Sequence, residues 1–154
     1  MSKNQFLFPN VNYKFPLYHL SFDVISCIDA ANAKNIPLKN ELKSLLLNYD
    51  GGICLVNVCG DNLVSLRKIK KTLHCKHAFM ASEQELAQLN LRPGAVCPFL
   101  AQTWNLTQLY DKKLFALEFL STNNGSRNQY IKFPPNVLLQ CKDYIVGDFS
   151  TERS

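Results

Sequence analysis

Residues 91–99, LRPGAVCPF, restrict this chain more than any other stretch. Pro93 fixes its own φ and biases Arg92 away from helix, and Pro98 does the same to Cys97. Gly94 lies between them and can adopt positive φ or admit another chain at close range. A stiff, irregular loop is therefore predicted, with a small thiol and an aromatic ring, Phe99, at its end. Such loops serve as plain surface connectors or as ligand-facing walls. The surrounding elements must be arranged around it.

Before this loop, Ser21 is a plausible N-cap, and Val24, Cys27, Ile28 and Ala31 recur at helical spacing, so a helix is predicted over 22–34, ended by Ile36-Pro37. The apolar runs 42–49 and 53–59 flank Asp50-Gly51-Gly52, a hairpin signature. Gly60-Asp61-Asn62 closes the second strand. A helix over 64–74 with a basic outer face follows, then a short strand over 76–80. Ser82-x-x-Glu85 is a capping box opening a helix that runs to about Leu89.

After the loop, 106–110 and 114–120 read as a hairpin turned by Asp111-Lys112-Lys113. TNNGSR at 122–127 reads as a polar loop around Gly125, and 129–133 as a strand. Pro134-Pro135 opens a short helix, since Pro is tolerated in a first turn. A last strand covers 143–149. Residues 1–12 read as an irregular lead-in whose Phe6 and Phe8, with the neighbouring Tyr13, either dock a partner or fold back on the sheet. Residues 150–154 read as a frayed tail. Hairpins outnumber crossovers, so the predicted class is α+β: one domain over 13–149 with a mixed, partly antiparallel sheet flanked by helices.

The 154 residues, 47% of them hydrophobic, suffice for one sizeable core and not for two comfortable domains. No run of about 18 apolar residues occurs. The segment MSKNQFLFPNVNYKF lacks the apolar core and cleavage site of a signal peptide. A cytoplasmic location without a membrane partner is expected. The six cysteines form no C-x-x-C pair and the three histidines no zinc pattern, so no metal or cofactor is expected. The net charge of +5 permits a polyanionic partner without demanding one.

Periodicity reveals no nucleophile elbow, phosphate loop or carboxylate pair. Lys43 opens its strand just before an apolar run. It is either a strand-end lysine with its head in water or a cation poised to bind phosphate. Gly125 sits in an ordinary turn or in a loop that grips a carbonyl by main chain. Arg67, Lys68, Lys70, Lys71 and Lys76 form either a solvated face or a phosphate-tracking patch. Cys97 is a nucleophile only if a base meets it in space.

The order of features carries more than any one of them. Ala30-Ala31 precedes Ile36-Pro37, ELKSLLL spans 41–47, a hairpin and a basic helix follow, then ASEQEL at 81–86, PGAVCPF at 93–99 and the NGSR loop. This series resembles the YbaK/EbsC family, free-standing relatives of the editing domain of prolyl-tRNA synthetases. The resemblance runs from about Leu20 to Phe149 and implies a barrel-like sheet with helices around it.

The resemblance also implies deacylation of mischarged tRNA in trans, without a protein nucleophile. Lys43 would hold the tRNA 3′ end, and the backbone at Gly125 would position the ester and the attacking water. Gly94, Cys97, Pro98 and Phe99 would shape the amino-acid pocket, with Ser126 and a loosely matched His19 beside it. Arg67, Lys68, Lys70 and Lys71 would hold the acceptor stem. The implied partner is tRNA, with an aminoacyl-tRNA synthetase as a further candidate and no DNA. Cys97 stands where Ser or Thr is usual and Leu100-Ala101 where Gly-Leu is common, so the amino acid removed stays open. A non-catalytic tRNA- or synthetase-binding module is the alternative, and a Cys97-dependent hydrolase or redox sensor is a third reading.

Overall fold

The two apolar runs around Asp50 build the centre of the molecule. In the computed structural model, which describes residues 4–50, 52–101 and 106–153, they form strands β3 (Leu42–Tyr49) and β4 (Gly52–Cys59). The pair is antiparallel, in register from Leu42–Cys59 to Tyr49–Gly52. Gly51 of the expected turn lies outside the described residues. The short strand predicted over 76–80 forms β6 (Ala78–Met80) and pairs with the outer edge of β3.

On the other side of β4 the prediction fails. β7 (Thr107–Asp111) does not turn back into a hairpin. It lies parallel to β4, and β10 (Tyr144–Gly147) lies parallel to β7, completing a five-stranded mixed sheet. Residues Lys112–Ala116 form a 3₁₀ turn that buries Leu114 in the core. β8 (Leu120–Asn123) instead pairs with β9 (Gln129–Phe133) through the loop at Gly125.

β8 and β9 belong to a second sheet with β2 (Phe15–His19) and β1 (Gln5–Phe6). The lead-in is thus partly regular, and it folds back. Phe8 is buried and packs against Phe15 and Phe99, which also meet Phe133 at ring-centroid distances of 4.9–5.7 Å. Among the described residues, one parallel bridge, Glu41–Ser121, links the two sheets by backbone. They do not close on one another, which corrects the barrel-like expectation to open sheets around shared cores.

The helices are shorter than periodicity suggests. α1 spans Cys27–Lys34 and its N-cap is Ser26, whose hydroxyl accepts from the Asp29 N–H. Ser21 is too early, because the main chain before α1 is drawn to the Gly125 loop: the N–H groups of Leu20 and Val24 donate to the carbonyls of Asn128 and Arg127. Asn35 ends α1 in the left-handed conformation. α2 (Leu66–Leu73) is capped by Ser65 and buries Ile69. α3 (Glu83–Gln88) carries the reciprocal capping box of Ser82 and Glu85. α4 is the single turn Pro98–Ala101, and the predicted helix after Pro134 is a 3₁₀ segment, Pro135–Gln140.

The expected frayed tail is a strand. β11 (Ser150–Glu152) pairs antiparallel with β5 (Asn62–Val64), a strand the sequence reading had absorbed into a turn and a helix. Buried Asp111 fixes it, accepting from the Phe149 N–H at 2.8 Å and the Ser150 hydroxyl at 2.9 Å. Among the described residues, no helix is long and apolar enough to cross a membrane.

Candidate functional site

A cleft of about 320 Å³ opens between the two sheets. Its walls are the segment before α1, the first half of β3, the loop at Gly94 and the loop at Gly125. Val24, Ile25, Ile28, Leu42, Leu45 and Val96 supply an apolar lining, while Lys34, Glu41, Lys43, Arg127 and Arg153 bring charge.

Lys43 lines the cleft from β3 and donates from Nζ to the carbonyl of Asn62 at 2.6 Å. Partial burial lowers its pKa, with Cys27 and Asp61 opposing and Arg153 reinforcing that shift. Next to it Ser44 donates to Asn57 Oδ1 at 2.6 Å. Asn57 donates in turn to Gln108 Oε1 at 3.0 Å, and Gln108 donates to the Pro98 carbonyl at 2.6 Å. Asn57 and Gln108 are fully buried. This chain of amides fastens the proline loop to β3, β4 and β7, and its buried polar groups are satisfied by one another.

Beneath the cleft lies an ion pair that sequence reasoning missed. Lys34 Nζ bonds both Glu41 carboxylate oxygens at 2.8 and 3.0 Å, and the Ser121 hydroxyl at 3.1 Å. It also sits 4.6 Å from the Tyr130 ring centroid. Burial lowers the Lys34 pKa and raises that of Glu41, each against the pull of the other. The signal was available: Ala30, Ala31 and Lys34 share one helical face, and all three are buried.

The two loops are locked together across the cleft. Arg127 donates from its guanidinium to the Pro93 carbonyl at 3.0 and 2.8 Å. Asn123 donates to the Val96 carbonyl at 3.0 Å and accepts from the Gly125 N–H at 2.8 Å. Gly94 has φ +78°, and a Cβ there would stand 2.7 Å from the Ile25 Cα. The glycine is therefore required by a backbone-to-backbone approach. Gly125 has φ +100°, a conformation that L side chains rarely adopt, and a Cβ there would need a Leu100 methyl, 2.8 Å away, to shift. Its N–H is spent on Asn123, whereas among the described residues the N–H groups of Ser126 and Arg127, both in the cleft wall, have no acceptor.

The expected pocket residues divide. Gly94, Ser126 and Lys43 line the cleft. Cys97 and Phe99 lie behind its wall, in the largest core cluster. Burial pushes the Cys97 thiol up to about 12, and the Leu100 N–H donates to the Cys97 carbonyl at 3.1 Å. Pro98 contributes its carbonyl to the amide chain. His19 is exposed and set one residue back, its Nδ1 3.3 Å from Gln129 Nε2. The thiol that does line the cleft is Cys27, raised to about 11 mainly by burial. The basic residues of α2 are elsewhere. Arg67, Lys68 and Lys71 border a separate shallow depression, and Lys68 is tied to Asp148 and the Ser150 carbonyl.

Comparison with known proteins agrees with this architecture. The family described as the aminoacyl-tRNA editing domain matches residues 23–141. A solved structure of a hypothetical protein superposes with a TM-score of 0.81 at 21% identity, covering 89% of this chain and 91% of its own. A protein that served as a scaffold for computationally grafted linear epitopes gives 0.79 at 20% identity, covering 90% and 88%. A third, described as a candidate trans-editing enzyme for prolyl-tRNA synthetase, gives 0.75 at 20% identity, covering 89% and 87%. At these identities the likeness is one of fold. No curated protein matches the chain.

Proposed function

The chain belongs to the aminoacyl-tRNA editing domain family, and from that premise we propose that it hydrolyses the ester of a small mischarged amino acid on the 3′ end of tRNA. The observation that carries this reading is the cleft itself: a small, mostly apolar chamber with a lysine at its lip, free loop amides in its wall and no activated nucleophile. Its one lining cysteine is held as a thiol. An aminoacyl ester is already activated, so a positioned water and stabilisation of the developing oxyanion are sufficient chemistry. Water adds to the acyl carbon, the acyl–oxygen bond to the ribose breaks, and the ribose oxygen leaves with a proton.

In this reading Lys43 holds the 3′ end by charge. The loop around Gly125 meets the ester oxygen through the amides of Ser126 and Arg127. Gly125 contributes the turn itself, its own N–H being engaged by Asn123. The apolar wall and Gly94 limit the size of the acyl group, which lets a small pocket discriminate where a synthetase cannot. The reading places the protein in the cytoplasm with tRNA as substrate. α2, away from the cleft, offers Arg67, Lys70 and Lys71 to the acceptor stem, and a synthetase remains a further candidate partner.

The test is loss of the aminoacyl ester from a panel of mischarged tRNAs, including tRNA for proline carrying alanine or cysteine and tRNA for cysteine carrying serine. Turnover on one of them is expected, with kcat/KM reduced by Lys43→Ala about ten- to hundredfold, the scale of a lost charged contact to the substrate. Salt-dependent tRNA binding with no turnover on any substrate would replace the reading by a non-catalytic binding module.

A further inference from the structure

One cation in the cleft wall has no task in this scheme. β11 ends at Glu152, which its register sets opposite Asn62. The Asn62 carbonyl is also the acceptor for Lys43 Nζ. The next residue, Arg153, therefore leaves the strand beside Lys43, and it lines the cleft with Gly60 and Cys27. Its charge reaches both neighbours, adding to the lowering of the Lys43 pKa that burial causes and opposing the rise that burial causes at Cys27. Among the described residues no carboxylate or carbonyl holds Arg153, whereas Lys34, Lys68 and Arg127 are each engaged. The strand that carries it is anchored: Asp111 binds Phe149 and Ser150, and Lys68 binds the Ser150 carbonyl. Arg153 lies beyond residues 23–141, so the family match does not cover it.

Arg153 is exposed, so its head stands in water at the mouth of the chamber, beside the half-buried Lys43, where one anion can reach both cations. A guanidinium presents a planar fork that suits phosphate oxygens two at a time. We propose that Arg153 is a substrate-binding residue, taking a backbone phosphate of the single-stranded 3′ end beside Lys43. The substrate's identity rests on the deacylase reading; the phosphate grip does not.

The experiment uses the full chain and an uncharged RNA hairpin of acceptor-stem sequence ending in the single-stranded 3′ trinucleotide CCA. Affinity is measured by fluorescence anisotropy at several salt concentrations. Arg153→Gln is expected to weaken binding about tenfold and to reduce the slope of log K against log salt by roughly 0.7, the share of one phosphate on a single strand. Arg153→Lys restores the slope but not the full affinity, because the fork is lost. A hairpin without the trinucleotide should bind wild type and Arg153→Gln alike. Thermal melts establish that the variants are folded, and a chain ending at Glu152 serves as a second test. In turnover, Arg153→Gln raises KM and leaves kcat within about twofold, as expected for uniform binding.

Equal affinity and equal slope for wild type and Arg153→Gln would overturn the inference while leaving any deacylase activity intact. Failure of the wild-type chain to bind the hairpin would also overturn it. Binding lost in Arg153→Gln, with no charged tRNA turned over by the wild type, would sustain the phosphate grip and remove the deacylase reading.

Discussion

Arg127 and Pro93 join the two loops of the cleft: the guanidinium of one donates twice to the carbonyl of the other, at 3.0 and 2.8 Å. Arg127 follows directly on Gly125-Ser126, and Pro93 precedes Gly94, so this contact sets the spacing between the two loops that wall the cleft. Arg127→Ala is expected to cost about 1–2 kcal/mol, the scale of charge-assisted hydrogen bonds at a partly exposed site. It should also narrow the ratio of kcat/KM between small and larger acyl groups by about tenfold. Arg127→Lys should recover little of that selectivity, since an ammonium cannot reproduce the fork. Denaturant melts and deacylation of two acyl substrates check both statements.

The Lys34–Glu41 pair supports the cleft floor, and it is buried on both sides. Lys34→Met strands a carboxylate and should cost about 3–5 kcal/mol, whereas Lys34→Met with Glu41→Gln should recover much of the loss. The sign of the pH dependence follows from Glu41. Its folded pKa is raised by burial, and removal of Lys34 takes away the charge that opposes that rise. The folded variant then binds more protons than the unfolded chain above the ordinary carboxylate range, so its stability grows as pH falls from neutral through the raised Glu41 pKa. Urea melts of Lys34→Met at pH 5 and pH 8 test this, with greater stability expected at pH 5.

Cys97 is buried in the core and is not poised for attack. With its thiol pushed up to about 12 by complete burial, alkylation of the folded chain at neutral pH should leave Cys97 unmodified. Cys97→Ser buries a hydroxyl in the apolar core and should cost about 1–3 kcal/mol, while turnover should persist. Turnover abolished by Cys97→Ser in a folded protein would favour a thiol-dependent hydrolase.

Asp111 clamps β11 from within the core. Asp111→Asn keeps one acceptor and turns an amide N–H₂ toward existing donors, at a cost of about 1–3 kcal/mol. Hydrogen exchange at Thr151 should accelerate in that variant while the β3–β4 amides stay protected, because the damage is local to the β5–β11 pair.

Local chemistry made part of this molecule legible in its amino acids. The antiparallel pairing of β3 with β4, the Ser82–Glu85 capping box and the strand 129–133 each depend on residues close in sequence. The ordered motifs around Lys43, Gly94 and Gly125 likewise indicated the family. What the residues could not show is pairing at a distance. Nothing near Asp111 tells that β7 will lie parallel to β4 and β10, because that choice belongs to Phe149 and Ser150, which donate to its carboxylate. Two serines, Ser21 and Ser26, offer the same cap, and only the pull of Arg127 and Asn128 on the preceding backbone decides for the second. The site divides in the same way. Lys43 and Gly94 were readable as types in a pattern. The sinking of Cys97 into the core, the Lys34–Glu41 pair and the arrival of Arg153 at the cleft follow from tertiary packing, where burial and register fix which side chain meets which.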